Sequence, residues 1–185
     1  MDRQRHAAPG HGSIDRRTIT EGAGIGKPQL RGPNTALCDR HGGAGFARGG
    51  VQHGQDCTAV VMRAVHANFM GPFDWGRGDC CRSACDAFLS LWGVDPMGPL
   101  RGAYSTEAEA SALIRSWGGW RSMTRKLAAM SGLVDGTGRA GEVGLIKLPH
   151  SFALGLSIGY GQWAGKADGG YCTTDAVVAS WGVYA

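Results

Sequence analysis

Six cysteines stand at positions 38, 57, 80, 81, 85 and 172. Three of them crowd into PFDWGRGDCCRSACDAFLSLWGV, residues 72–94, where Cys80 follows Asp79 at the start of an apolar helical pattern. A thiol at a helix N-terminus sees unpaired backbone N–H groups and the positive end of the macrodipole, and both favour the thiolate. Arg77 and Arg82 would add to that effect, whereas Asp79 would oppose it or cap the helix. The chemistry on offer is nucleophilic attack on a carbonyl, with backbone N–H groups at the helix start stabilising the oxyanion. Free cysteines are also among the most buried residue types, so Cys80 fits a core position as well. Cys81 and Cys85, four residues apart, fall on the core face of the helix.

A second set of potential ligands lies upstream: Cys38-x2-His41, eleven residues, then His53-x3-Cys57. The spacings suit tetrahedral zinc, but the intervening GGAGFARGGVQ has one aromatic residue and no periodicity to position four ligands. GAGIGKP is not a phosphate loop, because Glu21 stands where the first glycine is required and Pro28 follows Lys27. The tryptophans at 75, 92, 117, 120, 163 and 181 are scattered and read as core or turn-packing residues.

The elements that must position Cys80 begin near residue 62. VMRAVHANFM reads as a short lead-in helix. Cys81, Ala84, Cys85, Phe88, Leu89 and Trp92 recur at three- and four-residue spacing, which predicts a helix from about 80 to 92 ended by Gly93. Ser105 or Thr106 caps a second helix with the apolar face Ala110, Leu113, Ile114 and Trp117, and WRSMTRKLAAMSG forms a third. GEVGLIKL, FALGLSIG, YGQWAG, GYCTTDAVVA and SWGVYA are short and β-like, separated by Gly, Pro and Asp turns. Helices followed by an antiparallel β-meander define an α+β domain over 62–185.

Residues 1–60 differ in kind. They hold eight Lys and Arg, five Asp and Glu, four of the six His and twelve Gly, so most of the net charge of +4 sits there. With isolated hydrophobes and neither period, the segment is expected to be disordered, and Met62 offers an alternative start that would leave it out of the native product. The charge is too thinly spread to point to nucleic acid. The sequence has no apolar run of membrane-spanning length and no secretory h-region, so it is read as made in the cytoplasm, with its cysteines reduced.

The Phe73-x-Trp75-Gly76 turn, Asp79-Cys80 opening a buried helix, and Gly141-Glu142-Val143 opening a strand resemble an uncharacterised family of phage- and prophage-associated domains. Those are similar in turn to NlpC-type cell-wall cysteine peptidases of papain-like fold. The resemblance covers roughly residues 70–184. It implies an NlpC-like fold, Cys80 as nucleophile, no cofactor, and a peptidoglycan peptide or phage tail proteins as partner, with a tail- or virion-associated location. In NlpC enzymes the general base opens the strand after the Gly-Asp motif, and that position is Ala153 here; Glu142 also replaces the motif's Asp. The nearest imidazole is His150, three residues upstream. The resemblance therefore leaves two readings: a thiol amidase with His150 as base, or a catalytically inactive domain with a structural or binding role in tail assembly.

Overall fold

The computed structural model describes residues 51–183, with side chains from Cys57 onward. The expectations of disorder over 1–50 and of a zinc site using Cys38 and His41 lie outside these residues, as does the side chain of His53. Helix α1 spans Val51–Phe69 and so begins ahead of the boundary expected near residue 60. Val61, Val65 and Phe69 recur on one face of it and are fully buried, and Val60 packs beside them. This apolar face ties the helix to the domain although the residues before it lack a pattern.

Helix α2 covers Cys80–Trp92 and is bounded as its sequence requires: Asp79 caps it, and Gly93 ends it in the left-handed region at φ 71°. Its buried face includes Cys81, Ala84, Cys85, Phe88 and Trp92. A short 3-10 turn, Gly98–Leu100, leads to helices α3, Glu107–Ser116, and α4, Trp120–Met130. Of the two candidate caps for α3, Thr106 is the one: its hydroxyl accepts from the Glu109 N–H at 3.3 Å. Glu109 reaches back to the Ser105 N–H and hydroxyl at 2.7 and 3.0 Å, completing a capping arrangement shifted by one residue.

The sheet has six antiparallel strands: β1 (Val134–Asp135), β2 (Val143–Lys147), β3 (Phe152–Gly159), β4 (Gln162–Ala167), β5 (Gly170–Thr174) and β6 (Val177–Gly182). Their order is β1-β6-β2-β3-β4-β5, so the expected meander holds only for β2 to β5. The last strand crosses back to pair with β2, and the turn between β5 and β6 falls at Asp175–Ala176, inside what reads as one strand in sequence. In a flat sheet β5 and β6 would stand about 19 Å apart. Three Cα steps reach only about 11 Å. The sheet must therefore curl.

A row of glycines makes the curl possible. Gly144, Gly155 and Gly165 are register partners on three adjacent strands. A Cβ on Gly144 would lie 2.5 Å from the Trp163 ring, and one on Gly165 would lie 2.8 Å from Ile146 Cδ1. Trp163 and Ile146 fill that space and form a second buried cluster with Ala153, against which Cys80 packs. The opposite face, with Val143, Leu145, Leu154 and Leu156, joins α1 and α2 in the main core. Each such aliphatic side chain contributes about 1.5–3 kcal/mol on burial.

Buried Glu142 fixes the loop that leads into β2. Its carboxylate accepts from the Thr137 and Gly138 N–H groups at 2.9 and 2.7 Å and from the Ser180 hydroxyl at 2.8 Å. That arrangement explains an acidic residue after Gly141 without assigning it chemistry. Gly144→Val should lower stability by about 1–3 kcal/mol through overpacking against Trp163. Chemical denaturation of the full chain checks this, and an unchanged midpoint would contradict the glycine-row account.

Candidate functional site

Asp79 organises the site. It is 1% exposed, and its two oxygens accept four hydrogen bonds. Oδ1 takes the N–H groups of Cys81 and Arg82 at 2.9 and 3.0 Å, and Oδ2 takes the Gly76 N–H at 2.7 Å and the Tyr104 hydroxyl at 2.9 Å. One side chain thus joins the Trp75–Gly76 turn, the start of α2 and the segment before α3. Gly76 has no alternative there. Its φ is 75°, and a Cβ would lie 2.3 Å from the Tyr104 carbonyl oxygen. Burial pushes the Tyr104 phenol well above its ordinary pKa, so it stays protonated as a donor to Asp79.

These contacts revise the expectation for the oxyanion. The Cys81 and Arg82 N–H groups at the helix start are already committed to Asp79. A developing alkoxide would have to compete with a carboxylate for them.

Cys80, half-buried, lies beside β3 and packs against the cluster of Ile146, Ala153 and Trp163. A hydrogen bond from the Cys81 thiol lowers the Cys80 thiol from its ordinary value, helped by the backbone N–H groups of Leu154 and Cys81. Burial and the Asp79 carboxylate pull the other way and do not prevail. The same bond, with burial, pushes Cys81 well above the ordinary thiol value. Burial raises Cys85 similarly, which makes it an inert core thiol.

A cavity of about 240 Å³ opens at Cys80. Trp75, Leu100, Tyr104, Ile114, Trp120 and Met123 supply much of its wall, and Phe152 and Ala153 close the β3 side. His150 does not reach it. The residue is exposed in the β2–β3 turn, where the Leu148 N–H donates to the Ser151 carbonyl at 3.0 Å. Leu148 and Ser151 line the cavity; His150 between them does not. The fold thus brings together Cys80 and Ala153, not Cys80 and His150. Sequence reading passed over Tyr104, which stands in RGAYST with no recognisable signal, and Cys81 as a donor rather than a core residue.

Among the described residues, Asp79, Cys80 and Cys81 place three donor atoms of metal-binding type within 4.8 Å of one another. Asp79 has two hydrogen bonds on each oxygen and no lone pair left for a cation. Cys57, the described member of the upstream set, sits on α1.

A family profile described as "Domain of unknown function (DUF6950)" matches residues 56–183, more than half of the chain. The chain belongs to that family. No curated protein matches it, and no solved structure does. The family's span begins within α1 and ends with β6, so it takes in the whole of the Asp79 network and the curled sheet. No helix among the described residues is long and apolar enough to cross a membrane.

Two outcomes follow from this geometry. Asp79→Ala leaves four donors without their acceptor, two of them in buried bonds, and should cost at least about 2 kcal/mol, read by denaturation; a neutral effect would contradict its central place. Cys81→Ala removes the thiol donor and should shift the pH at which iodoacetamide alkylates Cys80 upward, toward the ordinary value of about 8.5. Cys81→Ser keeps a donor and should shift it less. Identical profiles for the wild type and Cys81→Ala would contradict the assignment.

Proposed function

We propose that this chain is an NlpC-like, phage- or prophage-associated domain of papain-like fold in which Cys80 is a reactive nucleophile without an amidase base. One observation carries the reading. Cys80 and Ala153, the positions at which the resemblance puts nucleophile and base, are neighbours at the wall of one cavity. Two residues 73 apart in sequence would not be expected to meet there if the correspondence were accidental.

The missing imidazole decides what the thiol can do. Amide cleavage needs a group that takes the thiol proton and returns it to the departing amine. Hydrogen bonds from Cys81 and Leu154 favour the thiolate and so ease the first half of that task. Among the described residues, no imidazole stands beside Cys80 to supply the second half. Ala153 cannot, and the Asp79 carboxylate is committed to four donors. On this reading the chain keeps the nucleophile of a peptidoglycan peptidase, beside a cavity, but not its proton shuttle. This favours a binding or assembly role, as in a phage tail, over turnover of cell-wall peptides.

Purified muropeptides incubated with the full chain test this. The wild type, Cys80→Ala and His150→Ala should all leave the peptides intact, while iodoacetamide at neutral pH should label Cys80 faster than exposed Cys172. Turnover by the wild type that is lost in both variants would establish an amidase with His150 as base. Labelling of Cys80 no faster than Cys172 would remove the nucleophile.

A further inference from the structure

The cavity beside Cys80 has walls that do not match a charged peptide. A muropeptide carries free carboxylates and amines, and burying such a group without a partner is costly. Three charged residues line the cavity, and two of them already hold hydrogen bonds within the fold. The Lys166 ammonium donates to the Phe69 and Gly71 carbonyls at 2.7 and 2.6 Å, Asp79 is saturated, and Glu107 is exposed at the start of α3. The rest of the wall is mainly aromatic and aliphatic, from α2, α3, α4 and the β3 entry. An uncharged, apolar occupant fits that balance of charge.

The reacting groups narrow the choice. Among the described residues no imidazole stands beside Cys80 to protonate a departing amine, which favours a leaving group that departs as a stable anion. An amine does not; a thiolate, with a pKa near 8.5, does. We propose that Cys80 accepts an apolar acyl group from an acyl thioester, with the chain lying in the cavity among Trp75, Leu100, Ile114, Trp120 and Met123. This rests on the reading of Cys80 as a nucleophile and names the substrate class for it.

The step balances without a further reactant. The Cys80 thiolate forms a bond to the thioester carbonyl carbon. The tetrahedral intermediate collapses, the original C–S bond breaks, and the donor leaves with that electron pair as a thiolate, which takes a proton from water. The product is a new thioester on Cys80, with no change of oxidation state. At about 30 Å³ per water-sized group, the cavity of about 240 Å³ holds about eight such groups, the size of an octanoyl chain. Each buried methylene favours binding by about fourfold.

The test uses the full chain with the octanoyl and acetyl thioesters of N-acetylcysteamine, followed by intact mass and peptide mapping. One octanoyl group should appear on Cys80, at least about a hundredfold faster than acetyl, and none in Cys80→Ser. Ser111→Phe, which places a ring at the cavity wall, should reduce the octanoyl-to-acetyl ratio. Equal rates for the two thioesters, or octanoylation of Cys172 in place of Cys80, would overturn the proposal. If iodoacetamide labels Cys80 faster than Cys172 yet octanoylation fails, the nucleophile stands and the acyl-group assignment falls. If neither reagent selects Cys80, both fall.

Discussion

A single buried carboxylate sets the geometry of this domain. Asp79 accepts from the turn before α2, from the first turn of α2 and from the phenol of Tyr104, so three chain segments meet at two oxygen atoms. A buried carboxylate is tolerated only when its desolvation is offset by donors, and four of them do so here. Gly76 is part of the same constraint, since a side chain there would collide with the Tyr104 carbonyl. Asp79 therefore does more than cap a helix. It fixes where the helix starts relative to the rest of the fold, and the next residue is Cys80.

The character of the Cys80 thiol comes from opposed effects of its surroundings. Burial and the adjacent carboxylate disfavour the anion, while the Cys81 thiol and two backbone N–H groups favour it and win. The same capping that orders the helix withdraws two N–H groups from any oxyanion. A site built this way favours the thiolate, while Asp79 holds two of the N–H groups at the start of α2. Its cavity is mainly apolar, and an alanine stands at β3.

Much of this was legible in the residues and some was not. The 80–92 helix, its Asp79 cap and its Gly93 stop follow from local rules, because capping and αL termination involve neighbouring residues. The strand segments from 143 to 167 follow from their apolar patterning. The return of β6 to β2 could not be read, since strand pairing is non-local and the cue, three glycines in register, exists only once the strands are aligned. The start of α1 does not follow from the sequence because its first turns carry no apolar period. His150 and Ala153 are three apart in sequence, yet a turn sends one to solvent and the other to the thiol.

The placement of Cys80 against β3 is the claim on which the chemistry stands, and a cross-link measures it directly. In the full chain carrying Ala153→Cys, mild oxidation and peptide mapping should yield a disulfide joining position 153 to Cys80. A thiol at 153 that stays free, or that pairs with Cys172 instead, would contradict the site described here.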